Sequence, residues 1–418
     1  MQITIHRGIN QIGGCITEIA SDTARIFIDL GQNLPSSEGV SKDNLANEDA
    51  IKHLTDGVDA IFYTHYHGDH LELFHFVPDT IPQYIGKTAQ RVVIEKYKHL
   101  CYIPNEKEKF NSYLQRVEKM LPITEDVPVC VKNIKVTPYF VSHSAYESYM
   151  FLIEAEGKRI LHTGDFRDHG YLGKGLRKIL KKIMENQAID VLIIEGTMLS
   201  RQGERVKTEN ELQKDAIAIM KKYKNVFVLC SSTDMERLAS FHAANRKVHN
   251  RPFVCDNYQK KVLEIFSRSA GTKTGLFKFN QVYDFHMNNR KLQDWMHDKG
   301  FCMLVRPTDK FFKNYDFSKD QLKDEDTVLI YSMWGEYINP KGKHKKENYL
   351  NFVNQFLNIE KLHTSGHASV ECLNEVCRIV NPTQHIVPIH GENAKDYYSL
   401  DISESLKEKI TIKPTITL

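Results

Sequence analysis

The stretch that most constrains this chain is Thr64-His65-Tyr66-His67-Gly68-Asp69-His70. It follows Val58-Asp59-Ala60-Ile61-Phe62-Tyr63, an apolar run of strand character that delivers it into a glycine-containing turn. Imidazole and carboxylate are the ligands that zinc and manganese accept. On an extended turn His65 and His67 can reach one ion, while Asp69 and His70 reach a second. A merely solvated, His-rich loop would rarely follow a buried strand with an acid in register.

Further ligand candidates share one form, a strand that ends in a polar residue beside a small one. Tyr139-Phe140-Val141-Ser142-His143-Ser144 offers His143, and Ile160-Leu161-His162-Thr163-Gly164-Asp165 offers Asp165. Near the end, Ile386-Val387-Pro388-Ile389-His390-Gly391-Glu392 offers His390. Loops that leave one edge of a sheet are where such groups converge. A lone His or Asp after a strand is usually a satisfied turn residue, but this set accompanies the His-rich turn. His65, His67, Asp69, His70, His143, Asp165 and His390 together suit two metals that share one bridging carboxylate, with room for water. Asp29, in Phe27-Ile28-Asp29-Leu30-Gly31, is placed to orient a ligand histidine from behind.

The rest of the chain sets the frame. At 418 residues it is one large domain or two intimate ones. Its 56 basic and 53 acidic residues leave a net charge of only +3, so bulk charge announces no polyanion partner and local patches must be read instead. Met1–Arg7 alternates like a strand and has no signal-peptide core, and no apolar run reaches membrane-spanning length. The eight cysteines form no CxxC pair, which points to reduced, mostly buried thiols in a cytoplasmic protein. Short strands are expected at Ile3–Ile5, Cys15–Ile19, Arg25–Asp29 and Ala60–Thr64, and helix over 85–120.

At this point the chain resembles the metallo-β-lactamase superfamily, on His65-Tyr66-His67-Gly68-Asp69-His70 with Asp29, His143, Asp165 and His390. Glu195 in Ile193-Ile194-Glu195-Gly196-Thr197 and His367 in Thr364-Ser365-Gly366-His367-Ala368-Ser369 are similar to the extra motifs of its β-CASP nucleases. The Ser-Gly-His-Ala-Ser form and the closing Pro388-Ile389-His390-Gly391-Glu392 are most similar to the ribonuclease J group. The resemblance implies an α/β fold, an αβ/βα sandwich into which a second α/β domain is inserted. Residues 1–202 and 350–418 would form the sandwich and 203–349 the insert, with the active site in the cleft between them. Strand–helix alternation at Asn225–Cys230, Pro252–Cys255, Phe301–Val305 and Thr327–Tyr331 gives the insert a mostly parallel sheet.

The resemblance also implies a ligand distribution: His65, His67 and His143 on one ion, Asp69, His70 and His390 on the other, and Asp165 bridging. Two divalent ions are expected, zinc ahead of manganese. Asp69 would take a proton from the attacking water, and His367 would protonate the departing oxygen with Glu195 fixing its ring. His363, Thr364, Ser365 and Gly366 would contact an adjacent phosphate, and Ser231, Ser232 and Thr233 would form a second hydroxyl-rich substrate loop. Lys341, Lys343, His344, Lys345 and Lys346 could track a nucleic-acid backbone, whereas the helical Lys174–Lys182 charges read as a solvated face.

The leading expectation is a metal-dependent ribonuclease on single-stranded RNA, chiefly 5′→3′ exonucleolytic, with no membrane partner and with monomer and dimer both open. Only 28 residues follow His390, so the C-terminal domain usual in ribonuclease J is not expected. A thioesterase or lactonase of the same superfamily is the alternative, and the insert, Glu195 and His367 argue against it. A binding protein without activity is disfavoured because a buried ligand set without its metal is costly.

Overall fold

The computed structural model describes residues 1–34, 45, 47–185, 187–248, 251–286, 288–308, 311 and 322–418. The described chain divides into two units, one built from 1–34, 45–205 and 366–418, the other from 206–365.

In chain order, the first unit opens with β1 (Gln2–Arg7), β2 (Ile16–Ala20), β3 (Arg25–Ile28), β4 (Ala60–Phe62), β5 (Gln83–Gly86) and β6 (Leu121–Ile123). It continues with β7 (Val129–Val131), β8 (Ile134–Val141), β9 (Ser148–Ala155), β10 (Lys158–His162) and β11 (Val191–Glu195). The second unit carries β12 (Asn225–Cys230), β13 (Phe253–Cys255), β14 (Val282–Asp284), β15 (Phe301–Val305), β16 (Thr327–Ser332) and β17 (Ile359–Lys361). The chain then closes the first unit with β18 (His385–Ile389) and β19 (Thr415–Thr417).

The first unit holds two sheets, ordered β19-β1-β2-β3-β4-β5-β6 and β18-β11-β10-β9-β8-β7. Strand β9 shows why they stack. Its side chains alternate between two cores, as a period of two requires. Tyr149, Phe151 and Ile153 join Ile3, Ile28 and Phe62 of the first sheet in the layer between the sheets. Met150 and Leu152 point the other way, to the helices Leu176–Met184 and Val370–Val380. A strand covered on both faces needs a near-continuous apolar run, and Tyr-Met-Phe-Leu-Ile supplies it. Full burial of each such side chain contributes on the order of 1.5–3 kcal/mol. Helix Lys87–Leu100 packs on β5 and β6 through its buried face, so the layers run helix, sheet, sheet, helix. This is the αβ/βα sandwich.

Strand direction decides where the polar residues emerge. β10, β11 and β18 are parallel neighbours, and β8 runs the same way because β9 is antiparallel to both β8 and β10. Their carboxyl ends therefore share one edge, and the residues that follow them, His143, Asp165 and His390, leave from it together with Glu195 at the end of β11.

The second unit is one six-stranded sheet, ordered β14-β13-β15-β12-β16-β17, and every pairing in it is parallel. Its core joins Phe227, Leu229, Met303, Leu329 and Tyr331 from the strands to Leu292, Met296 and Phe352 from helices.

Three local features differ from the sequence reading. The stretch 85–120 begins with the end of β5 and then splits into helices Lys87–Leu100 and Lys107–Glu118. Pro104 disfavours helix in the residue before it, and Asn105 takes a left-handed φ of 66°. Strands β14 and β17 are three residues each, too short to show a period. β17 pairs with β16, so residues 350–365, read as return segment, lie in the second unit. No helix among the described residues is long and apolar enough to cross a membrane.

Candidate metal centre

The His-rich turn is held by its backbone. After β4 the chain enters a short helix, Gly68–Leu71, with His67 at its N-cap. The carbonyls of Gly68, Asp69 and His70 accept from the N–H groups of Gln32, Cys15 and Leu30. This approach is so close that a Cβ on Gly31 would lie 1.7 Å from the Asp69 carbonyl oxygen. Gly31 is therefore required for contact, not for φ.

Asp29, at a left-handed φ of 63°, organises the turn from behind. Its Oδ1 accepts the Thr64 N–H at 2.7 Å, and its Oδ2 accepts the Thr64 hydroxyl at 2.8 Å. The same Oδ2 accepts His70 Nδ1–H at 2.8 Å. With its hydroxyl proton given to Asp29, Thr64 is left to accept from His65 Nδ1 at 3.0 Å. His143 Nδ1–H donates to the Gly366 carbonyl at 2.7 Å, and His390 Nδ1 lies 2.7 Å from Thr197 Oγ1. In each ring the protein engages Nδ1 and leaves Nε2 for the site, which is how imidazole ligands are oriented. His67 is the exception, with its Nδ1 turned inward, 3.2 Å from His143 Nε2.

Asp165 stands at the centre. Its Oδ2 lies 3.2 Å from His70 Nε2 and 3.5 Å from His390 Nε2. It also lies 3.8 Å from His143 Nε2, 3.9 Å from His65 Nε2 and 3.6 Å from His367 Nδ1. Asp69 Oδ2 is 3.3 Å from His390 Nε2. The donor atoms of His65, His67 and His143 fall within 4.8 Å of one another, as do those of His65, His70 and Asp165.

This arrangement fits divalent cations. His65 Nε2, His70 Nε2 and Asp165 Oδ1 are buried with no hydrogen bond, a state that costs free energy unless something binds there. Burial and the neighbouring rings push His65 and His143 well below the usual imidazole range, and burial lowers His67. Burial works against charge on Asp69 and Asp165, but the surrounding imidazoles hold both carboxyls well below their usual range. His65, His67 and His143 are thus favoured as neutral rings, the form that binds a metal. On His70 burial is outweighed by Asp165 and Asp29, which raise it well above the usual imidazole range, so metal binding there must displace a proton.

Glu195 and His367 adjoin this centre. His367 Nδ1 is 3.0 Å from Glu195 Oε2, and the other Glu195 oxygen accepts from the N–H groups of Phe166 and Ala368. Burial opposes protonation of His367, but Glu195 and then Asp165 raise it above the ordinary value. Glu195 is fully buried, whereas His67, Asp69 and His367 are partly exposed, so the accessible side of the cluster carries those three.

The remaining candidates lie in the second unit. Ser231 Oγ and Thr233 Oγ1 are 3.3 Å apart in the loop after β12, and the Ser232 carbonyl accepts from Gln259. Thr364 is buried with its hydroxyl donating to the Lys207 carbonyl, Ser365 is half-buried, and His363 is exposed. Gly366 begins the return to the first unit, and a Cβ there would meet Ser144 Oγ at 2.4 Å.

Two participants, Thr197 and Cys15, were not singled out from sequence. Thr197, two residues beyond Glu195, touches both His390 and His367 Nδ1, the latter at 3.2 Å. Its signal was a hydroxyl in the polar turn after a buried strand. Cys15, read only as one of the reduced thiols, brings its sulfur within 4.8 Å of donor nitrogens of His70 and His390. Arg237 is buried against Glu209 at 2.9 Å and also donates to Ser332 Oγ and the Thr364 carbonyl, with His363 Nδ1 at 3.3 Å. Removing one partner of such a pair strands the other charge, so Arg237→Met should cost about 3–5 kcal/mol of stability. A urea-denaturation midpoint close to wild type would show that the pair does not anchor this loop.

The comparisons with known proteins agree with this geometry. Residues 35–228 match the beta-lactamase superfamily domain, and residues 357–414 match the Zn-dependent metallo-hydrolase RNA specificity domain. Ribonuclease J of Helicobacter pylori strain J99 is 21% identical over 412 residues, covering 94% of this chain and 56% of the relative. Endoribonuclease YSH1 of Mycosarcoma maydis is 24% identical over 377 residues, covering 80% and 41%. Cleavage and polyadenylation specificity factor 73 of Drosophila melanogaster is 23% identical over 397 residues, covering 88% and 56%. The chain thus spans about half the length of the curated relatives it matches. A solved protein of unknown function from Enterococcus faecalis V583 shares the fold, with a TM-score of 0.70, 21% identity and coverage of 94% and 95%.

Proposed function

We propose, from the premise that this chain belongs to the metallo-β-lactamase superfamily and is similar to its β-CASP nucleases, that it is a metal-dependent ribonuclease acting on single-stranded RNA. The observation that carries the reading is Asp165 Oδ2 set among five imidazoles, with the His367–Glu195 pair beside it. A small-substrate hydrolase needs the former but has no use for the latter.

Two zinc ions are the cofactor that the imidazole-rich donor set favours. His65, His67 and His143 would hold one, Asp69, His70 and His390 the other, and Asp165 both. Divalent ions so held neutralise phosphodiester charge and bring the pKa of water near neutrality. Asp69, partly exposed beside His390, receives a proton from the attacking water. His367 holds its Nδ1 proton against Glu195 and presents Nε2–H to the departing ribose oxygen as the phosphorus–oxygen bond breaks. Glu195 balances the imidazolium and fixes its ring, the role a buried carboxylate plays behind a catalytic histidine. His363, Ser365 and Gly366, with Ser231, Ser232 and Thr233, contact the RNA strand, and the buried Thr364 anchors their loop on the Lys207 carbonyl. The leading mode is 5′→3′ exonucleolytic, and the eight free thiols suit a cytoplasmic setting.

Hydrolysis of labelled single-stranded RNA should exceed that of thioester, lactone or β-lactam substrates by orders of magnitude. Single-nucleotide products from 3′-labelled RNA with a free 5′ end mark the exonucleolytic mode, and internal fragments from end-blocked RNA mark the endonucleolytic one. Robust thioesterase or lactonase turnover with none on RNA would overturn the assignment.

A further inference from the structure

Thr197 opens the short turn Thr197–Arg201 that follows β11, and its side chain is buried. Strands β11 and β18 run parallel with Glu195 beside Ile389, so Thr197 and His390, just past their ends, come out next to each other. From there one oxygen makes three contacts. Thr197 Oγ1 lies 2.7 Å from His390 Nδ1, 3.1 Å from the His390 carbonyl oxygen and 3.2 Å from His367 Nδ1.

A hydroxyl has one proton to give and two lone pairs with which to accept. A carbonyl oxygen can only accept, so the Thr197 proton goes to the His390 carbonyl and the lone pairs face the two rings. His390 and His367 are thereby both held with the proton on Nδ1. His390 then turns Nε2 towards Asp69 and Asp165, whose nearer oxygens are 3.3 and 3.5 Å away. Nδ1–H of His367, already 3.0 Å from Glu195 Oε2, gains a second acceptor. The two rings stack with centroids 5.2 Å apart and planes 30° from parallel, and Thr197 spans their Nδ1 edges.

This brace differs in kind from its neighbours. His70 and His143 are held by the Asp29 carboxylate and the Gly366 carbonyl, which accept and cannot donate. A hydroxyl can do either, so the tautomer of His390 depends on where the one Thr197 proton is committed. His390 also takes a left-handed φ of 52°, a conformation that surrounding contacts must hold. Thr197 holds its ring and its carbonyl, and the Gly8 carbonyl accepts its N–H at 2.7 Å.

We propose that Thr197 is a positioning residue shared by the metal centre and the acid: its hydroxyl fixes His390 with Nε2 as the metal-facing atom and sets the His367 ring beside it. The His367 half rests on the ribonuclease reading, and the His390 half is tested with zinc alone.

Thr197→Val keeps the shape of the side chain and removes the oxygen, whereas Thr197→Ser keeps the oxygen. Zinc-loaded proteins are titrated with a chromophoric chelator that records release of each ion. Thr197→Val should give up one of its two ions about 10- to 100-fold more readily than wild type and hold the other at the wild-type affinity. Thr197→Ser should recover most of the loss. Thr55→Val, which removes a buried hydroxyl bonded to the Ile51 carbonyl at 2.8 Å, should release zinc as wild type does. Wild-type retention in Thr197→Val overturns the His390 half, as does equal weakening of both ions. Failure of Thr197→Ser to recover the lost affinity assigns the effect to packing and overturns it too. With zinc in excess, Thr197→Val should still turn RNA over about 10-fold more slowly at an unchanged KM, since His367 has lost one acceptor. A wild-type kcat under those conditions would overturn the His367 half. No RNA hydrolysis by the wild-type protein would overturn the ribonuclease reading and the His367 half with it, while zinc release still decides the His390 half.

Discussion

Asp165→Ala should yield a protein that retains almost no metal and hydrolyses RNA at least about 10³-fold more slowly than wild type. The expectation follows from position rather than from proximity alone. Each of the other carboxylates in the cluster lies close to one imidazole: Asp29 to His70, which it braces together with Thr64, Asp69 to His390, and Glu195 to His367. Asp165 alone faces rings from both halves of the donor set, His65 and His143 on one side and His70 and His390 on the other. On the proposed distribution of ligands, removing it would take away the shared ligand and the negative charge that would offset two divalent cations. Asp165→Asn tests charge apart from shape, since it keeps an oxygen in place but loses the ionised group, and it should also fail to retain both ions. Elemental analysis after gel filtration in metal-free buffer is the measurement. Two ions per chain in Asp165→Ala would remove Asp165 from the bridging role.

Much of this site could be read from the chain because its ligands follow strands. Each of β4, β8, β10 and β18 is followed within three residues by a His or Asp of the cluster, and that pattern survives without coordinates. The sandwich itself came from the resemblance, because a strand such as β9, covered on both faces, is apolar throughout and carries no period-two signal. What lay hidden is what depends on contacts across the chain. Thr197 gains its place from two histidines far along the sequence, and Arg237 from Glu209, Ser332 and Thr364. Neither residue type is unusual in a polar turn or on a helix. Cys15 looked like any small apolar residue in a strand, and only packing sets its sulfur near His70 and His390. The short strands β14 and β17 escaped because three residues carry no periodicity, and a sheet partner rather than propensity makes them strands. The roles of ligand, acid and substrate contact came from resemblance, which supplies chemistry that spacing by itself leaves open.

His367→Ala should separate chemistry from metal binding. The ring touches Asp165 at 3.6 Å, but only through Nδ1, which Glu195 already holds at 3.0 Å. It is partly exposed, and no other ring needs its Nδ1 proton for orientation, since His70, His143 and His390 are each braced elsewhere. Metal content should therefore stay at the wild-type value in His367→Ala. Turnover of RNA should fall by about 10²–10⁴-fold, the range expected when a positioned general acid is removed, with KM changed little. The leaving group decides whether the missing function is proton donation. A ribose oxygen departs as a strong base and needs the proton, whereas p-nitrophenolate does not. On a p-nitrophenyl phosphodiester the same variant should thus lose far less rate than on RNA. Glu195→Gln should fall between wild type and His367→Ala on RNA, because the ring keeps a hydrogen-bond partner but loses the charge that favours its protonated form. Equal losses on both substrates would assign His367 to phosphate binding rather than to acid catalysis. Loss of metal from His367→Ala would instead place it among the ligands and revise the donor set itself.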